Sequence, residues 1–316
     1  MKILITEMIR EEGINELKNN HFEVHYDETL WENREKLLNQ LPHFDALIVR
    51  NQTKVDKELL EVSSNLKVIG RLGVGLDNID LQAAKNKGIR VVYAKNANAT
   101  SVAEYVMTAI LLSSRPLHLA HEDVKVGNWN RSLFTGKEIS SKILGLVGLG
   151  EISLRVAKRA QAFGMTVVGY DPFISDYDYI FAETNVKKYS SLDNLLEVVD
   201  FMSLHVPLTP STKHLISHNE LKKMKKTSYL INTSRGGIID EYSLSVAIKN
   251  GEIAGAYLDV LESEPIEPTN NLLTLNNVYI TPHIAGLTKE SQKRTSLLIA
   301  KEVGKILHGQ MSLCEV

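Results

Sequence analysis

One cysteine in 316 residues, Cys314, leaves no partner for an intrachain disulfide and too few thiols for a cysteine-ligated zinc site or a cysteine–histidine nucleophile. That usage fits a reducing cytoplasm. Long apolar runs are also lacking. No stretch approaches the ~18 residues of a membrane span, and MKILITEMIR reaches Glu7 and Arg10 too soon for a secretory leader. There is little charge of either sign in excess: 36 Lys and Arg against 38 Asp and Glu leave −2. Nucleic acid and anionic membranes are therefore not expected partners, and any anion has to be met by a local site. Repeats, low-complexity tracts and long linkers are missing too. What remains is a chain with 43% hydrophobic residues, enough for two buried cores at about 150 residues each.

Short β-branched runs alternate with longer amphipathic ones, which is how a parallel sheet with crossover helices is written. KILI, FEVHY, ALIVR, KVIGRL and RVVY predict five strands of a first α/β unit. KILGLVGL, TVVGYD, FMSLHV, SYLINTS, AGAYLDV and VYITP predict a second, larger one, nearly continuous in apolar residues as in strands covered on both faces. Between them SVAEYVMTAILLSSR predicts a buried helix opening on a capping box of Ser101 and Glu104. The segment after His283 predicts a helix with no strand beyond it, so it is expected to return to the first unit and make that unit discontinuous.

The strongest local signal is GLVGLGEISLRVAKRAQAFGMTVVGYDP. A strand ends in Gly148-x-Gly150, a helix starts near Glu151 and a second strand ends in Asp171, which is the dinucleotide-binding arrangement. Gly148 allows the tight turn, Gly150 lets a pyrophosphate approach, the helix end supplies amides and dipole, and Asp171 accepts from the adenosine ribose. An acid at that position and no cation in Pro172–Ser175 favour NAD over NADP. Three further motifs sit at predicted strand ends, where open α/β sheets place their ligand crevice: Arg235 in LINTSRGGIID, Asp259, Glu262 and Glu264 in LDVLESEP, and His283 in ITPHIAG. Lys222, Lys223, Lys225 and Lys226 are read as a helix-end cation cluster, not a nucleic-acid site. His214 and His218 lack an acidic companion between them, so no metal is expected.

In order and spacing, LIVRNQTKVDKELL, KVIGRLGVGLDNID, NATSVAEYV, GLGEI with GYDP, HVPLTPSTKHLI, NTSRGGIID, LDVLESEP and TPHIAG resemble the D-isomer-specific 2-hydroxyacid dehydrogenases, the nearest branch being similar to phosphoglycerate dehydrogenase. The resemblance covers nearly the whole chain. It implies a Rossmann NAD-binding domain (99–286) inserted into a flavodoxin-like substrate domain (1–98 plus 287–316), both doubly wound parallel α/β sheets, with the active site in the cleft between them. It also implies a homodimer built on the inserted domain and a place in serine biosynthesis.

The same resemblance implies a catalytic trio of Arg235, Glu264 and His283. Gly148, Gly150, Glu151, Ile152, Asp171, His205, Pro207, Thr233, Asp259 and Gly286 would face the cofactor, with Asp259 on the nicotinamide carboxamide. Arg50, Asn51, Arg71, Val74 and Gly75 would face a small anionic 2-hydroxy or 2-keto acid. Arg50 and Arg71 end neighbouring strands and are expected to converge on a second anion at C3, a phosphate first and a sulfonate or an uncharged hydroxyl next. The sequence departs from the family pattern in Ser153, which stands for the third glycine, and in TPHIAGLT, which differs from the H-x-G-x-S-T form. No serine-sensing domain is expected after Val316. A nucleotide-sensing corepressor of the same fold is the alternative from another class, and the presence of the whole trio favours the enzyme.

Overall fold

The computed structural model describes the whole chain, Met1–Val316, as two units: 1–98 with 287–316, and 99–286. In the first, β1 (Lys2–Ile5), β2 (Glu23–Tyr26), β3 (Ala46–Val49), β4 (Val68–Arg71) and β5 (Arg90–Tyr93) form one parallel sheet in the order 2-1-3-4-5. That is the flavodoxin-like order. β3 is buried throughout, whereas EVHY of edge strand β2 is mostly exposed, so the continuous apolar run marks the strand covered on both faces.

The helix Lys289–Leu307 starts at Thr288, whose hydroxyl oxygen accepts the Ser291 amide at 3.1 Å. It lies in this first unit, with Ile299 and Val303 in one buried cluster with Ile3, Ile48 and Val68. Gly70 in β4 makes the approach possible, because a Cβ there would sit 2.6 Å from Val303 Cγ2 and 2.8 Å from Ile299 Cγ2.

The second unit holds β6 (Ile143–Val147), β7 (Thr166–Tyr170), β8 (Lys187–Lys188), β9 (Phe201–Leu204), β10 (Tyr229–Asn232), β11 (Gly255–Leu258) and β12 (Val278–Ile280) in the order 12-11-10-9-6-7-8, all parallel. The strand order reverses between β6 and β9, the switch point at which doubly wound sheets bind their ligands. The two-residue edge strand β8 is not expected from the sequence, since a pair of lysines carries no apolar pattern.

The capping box expected at Ser101 and Glu104 does not form. The helix begins earlier, at Ala99, and runs to Ser114; Ser101 is buried inside it, and Glu104 points to Arg159 at 3.5 Å. Burial of Val102, Ala103, Val106 and Ile110 outweighs the local cap in deciding where this helix lies.

Gly70→Ala is expected to lower stability by about 1–3 kcal/mol through overpacking against Ile299 and Val303, read as a fall in the urea midpoint of the first unit's transition.

Candidate active site

The turn after β6 is shaped by two close approaches. Gly148 has φ +85, and a Cβ on it would lie 2.5 Å from the His205 carbonyl oxygen, so the turn passes directly under the end of β9. Gly150 stands at the N-cap of the helix Glu151–Ala162, and a Cβ there would meet nothing within 4 Å. The space before the first helical amides, of Glu151 and Ile152, is open. Asp171, just past β7, braces the turn: its Oδ2 accepts the Leu149 amide and its Oδ1 the Phe173 amide, both at 2.9 Å. Ser153 is fully buried and donates its hydroxyl to the Gly148 carbonyl, so the residue in the third-glycine position is held by the turn itself. Glu151 pairs with Arg155 at 2.5 Å one helical turn on, and Arg155 also donates to the Thr100 hydroxyl at 2.8 Å.

At the far side of the switch, His205 Nε2 lies 2.9 Å from the Ser203 hydroxyl. Its Nδ1 and the Thr233 hydroxyl just past β10 are buried polar atoms without a hydrogen-bond partner in the protein. Burial pushes the His205 imidazole down to about 3, so the ring is neutral. Two orphaned polar groups at neighbouring strand ends, with open space before Gly150, fit a dinucleotide laid across the switch point. Pro207 lies two residues after His205, and its carbonyl accepts from the Thr212 hydroxyl.

The three charged residues singled out from the sequence come together in this unit. His283 Nδ1 donates to Glu264 Oε2 at 2.9 Å, which leaves Nε2 as the ring atom able to face a substrate. Glu264 Oε1 accepts the Leu261 amide at 3.0 Å. Burial works to raise the Glu264 carboxyl, but the hydrogen bonds from His283 and Leu261 and the charges of His283 and Arg235 outweigh it and hold it below its ordinary value. Arg235 reaches Glu264 because Gly236 follows it: a Cβ on Gly236 would stand 1.8 Å from the Leu261 carbonyl oxygen, so only glycine lets these two turns touch. The Arg235 guanidinium donates to the Ser234 carbonyl at 2.6 Å.

His283 is in the left-handed region, φ +56, a conformation unfavourable for any residue with a side chain. Asp259 holds it there. Its buried carboxylate accepts the Thr281 hydroxyl at 2.6 Å and the amides of Ile284 and Ala285 at 2.7 Å each, and Tyr105 closes the chain with a 2.6 Å hydrogen bond to Thr281. Desolvation raises the Asp259 carboxyl, opposed by those same hydrogen bonds. Asp259, 1% exposed, thus buttresses the turn that carries His283 and leads to Gly286. Tyr105 and Thr281 were not foreseen, because a tyrosine in an apolar helix carries no motif.

Other charges on the second unit have structural partners. Glu262 contacts His214 at 3.2 Å, Lys223 pairs with Asp193 at 2.6 Å and Lys225 with Asp200 at 3.0 Å.

Arg50, Asn51, Arg71, Val74 and Gly75 all belong to the first unit. Arg71 folds back over its own turn, donating to the Leu72 carbonyl at 3.1 Å and lying where a Cβ on Gly73 would be, and the cation whose charge acts on Arg50 is Arg10.

Residues 107–285 match the family model described as D-isomer specific 2-hydroxyacid dehydrogenase, NAD binding domain. The chain belongs to the D-isomer specific 2-hydroxyacid dehydrogenase family. Within this family it is 42% identical to a D-3-phosphoglycerate dehydrogenase of Archaeoglobus fulgidus over 98% of this chain and 58% of that protein. It is equally 42% identical to an (S)-sulfolactate dehydrogenase of Chromohalobacter salexigens, over 96% of this chain and 98% of the relative. The crystal structure of the TT0316 protein from Thermus thermophilus superposes with a TM-score of 0.91 at 31% identity, covering 100% of both chains. The chain thus spans under two thirds of the length of the phosphoglycerate dehydrogenase it matches. Family membership identifies the second unit as the NAD-binding domain, in agreement with the glycine turn, Asp171 and the switch point.

Because Glu264 is held below its ordinary value, it favours the folded state above its unfolded pKa, and that contribution is lost as pH falls through the folded value. His283→Ala is expected to raise the Glu264 midpoint toward 4.5, measured by carboxyl-carbon NMR titration; an unmoved midpoint would show that the pair does not set it.

Proposed function

We propose that the protein is an NAD-dependent dehydrogenase that moves a hydride between C2 of a small 2-hydroxy acid and the nicotinamide ring. The observation that carries this reading is the His283–Glu264 pair with Arg235 beside it, at strand ends of an NAD-binding domain. Bound at the switch point, NAD supplies the hydride acceptor in oxidation and, reduced, the donor in the reverse direction. Everything else is asked of side chains. His283 Nε2 takes the C2 hydroxyl proton in oxidation and returns it in reduction, and Glu264 fixes the tautomer through Nδ1 and stabilises the imidazolium. Arg235 offers a planar cation to the substrate carboxylate and the C2 oxygen. Asp171 would repel the 2′-phosphate of NADP, which favours NAD.

The substrate we favour carries a second anion at C3, with 3-phosphoglycerate and its keto form phosphohydroxypyruvate first, sulfolactate next, and uncharged hydroxypyruvate or glyoxylate after them. Support comes from the first unit. Burial pushes the Arg50 guanidinium down while the Glu7 charge opposes, the nearby Arg10 adds positive charge, and the guanidinium has no hydrogen-bond partner in the protein. A half-buried cation left without a hydrogen-bond partner is what an anionic ligand completes. The Val74 and Gly75 amides, which donate to no backbone carbonyl, suit the substrate carboxylate. We also propose a cytoplasmic homodimer resting on the second unit, where Leu117, Leu119, Val126, Trp129 and Leu133 are exposed apolar residues within seventeen positions of sequence.

His283→Ala and Arg235→Ala are each expected to lower kcat/KM by ~10²–10⁴ with NADH affinity retained, because both act at the reacting carbon. A 2-keto-acid panel read by NADH oxidation tests the substrate: phosphohydroxypyruvate or sulfopyruvate should exceed hydroxypyruvate, glyoxylate and pyruvate, and Arg50→Ala should erase that order. NADH binding with no turnover on any acid would defeat the enzyme reading in favour of a nucleotide-sensing binding protein.

A further inference from the structure

Glu7, two residues past β1, is 3% exposed and gathers four consecutive backbone amides. Its Oε1 accepts from Arg50 at 2.8 Å and Thr53 at 2.9 Å, and its Oε2 from Asn51 at 3.1 Å and Gln52 at 2.9 Å. Successive amides turned toward one point make an anion-binding concavity, and here a side chain of the protein already fills it. The carbonyls of the same turn are fastened as well. Asn78 Nδ2 donates to the carbonyls of Arg50 at 3.0 Å and Thr53 at 2.8 Å, and the Thr6 and Thr53 hydroxyls share a 2.7 Å hydrogen bond. So much polar bracing is spent on a turn whose Asn51 and Gln52 face solvent and bury no core. What the bracing holds still is Arg50, the desolvated cation at the start of the turn.

We propose that Glu7 is a positioning residue for substrate binding. By occupying the four amides it withholds them from the ligand, and it aims the Arg50 guanidinium as the group that meets the anion at C3. The four donors also spread the Glu7 charge, so that together with Arg10 the turn stays positive toward a ligand. This inference rests on the reading of Arg50 as partner of a second substrate anion.

The test compares Glu7→Gln, Arg50→Ala and wild type on phosphohydroxypyruvate and hydroxypyruvate, with NADH affinity by fluorescence titration and thermal midpoints alongside. The glutamine has one acceptor oxygen where four donors converge, so the turn loosens. The expected result is a KM for phosphohydroxypyruvate raised about tenfold, a clearly smaller rise for hydroxypyruvate, and kcat and NADH affinity close to wild type. If Glu7→Gln does not fold, Asn78→Ala, which frees the two carbonyls, is expected to show the same split. Equal KM changes on both substrates, or a lower thermal midpoint with KM unmoved, overturn the proposal. A shifted substrate ratio in Arg50→Ala alone refutes the role of Glu7 only. An unshifted ratio in Arg50→Ala refutes the second-anion reading, and the role of Glu7 with it.

Discussion

The turn that carries His283 hangs on one buried carboxylate. Asp259 costs free energy to desolvate, and that cost is met by three donors, of which two are amides of the turn after β12. Those bonds hold His283 at a positive φ that its side chain disfavours, which turns the ring toward Glu264. Glu264 in turn lies beside Arg235 only because Gly236 permits contact with Leu261. Asp259 grips His283 through the backbone that follows it and the Thr281 hydroxyl before it, while Gly236 sets the approach of Glu264 and Arg235.

Parallel sheets explain why distant motifs meet. Every strand in each unit runs the same way, so the segments that follow β6, β7, β9, β10, β11 and β12 emerge at one edge of the second sheet. Gly148, Asp171, His205, Thr233, Arg235, Asp259 and His283 are spread over more than a hundred residues of sequence and share that edge as a consequence of topology alone.

The central strands were legible because both of their faces are covered: ALIV and ILGLV carry no polar side chain and FMSL only that of Ser203. The trio was legible because a charged residue next to glycine or proline at a strand end has few structural uses. What stayed hidden is tertiary in origin. Ser101 and Glu104 have the spacing of a cap, but packing of the apolar helix placed its start elsewhere. The curl of Arg71 over Gly73, the amide cluster on Glu7 and the chain from Tyr105 to Asp259 depend on partners far away in sequence, or on a side-chain rotamer, and no local pattern encodes either. Ser153 shows the reverse case: a departure from a motif that the turn accommodates, its buried hydroxyl donating to the Gly148 carbonyl.

The neutrality of His205 has a consequence for the dinucleotide site. With that ring uncharged and Arg155 paired with Glu151, the helix end meets the phosphates with the partial charge of its amides. Attraction of that kind is short in range and falls off within the first helical turn. Cofactor affinity at this helix end then depends on how closely the phosphates fit its amides.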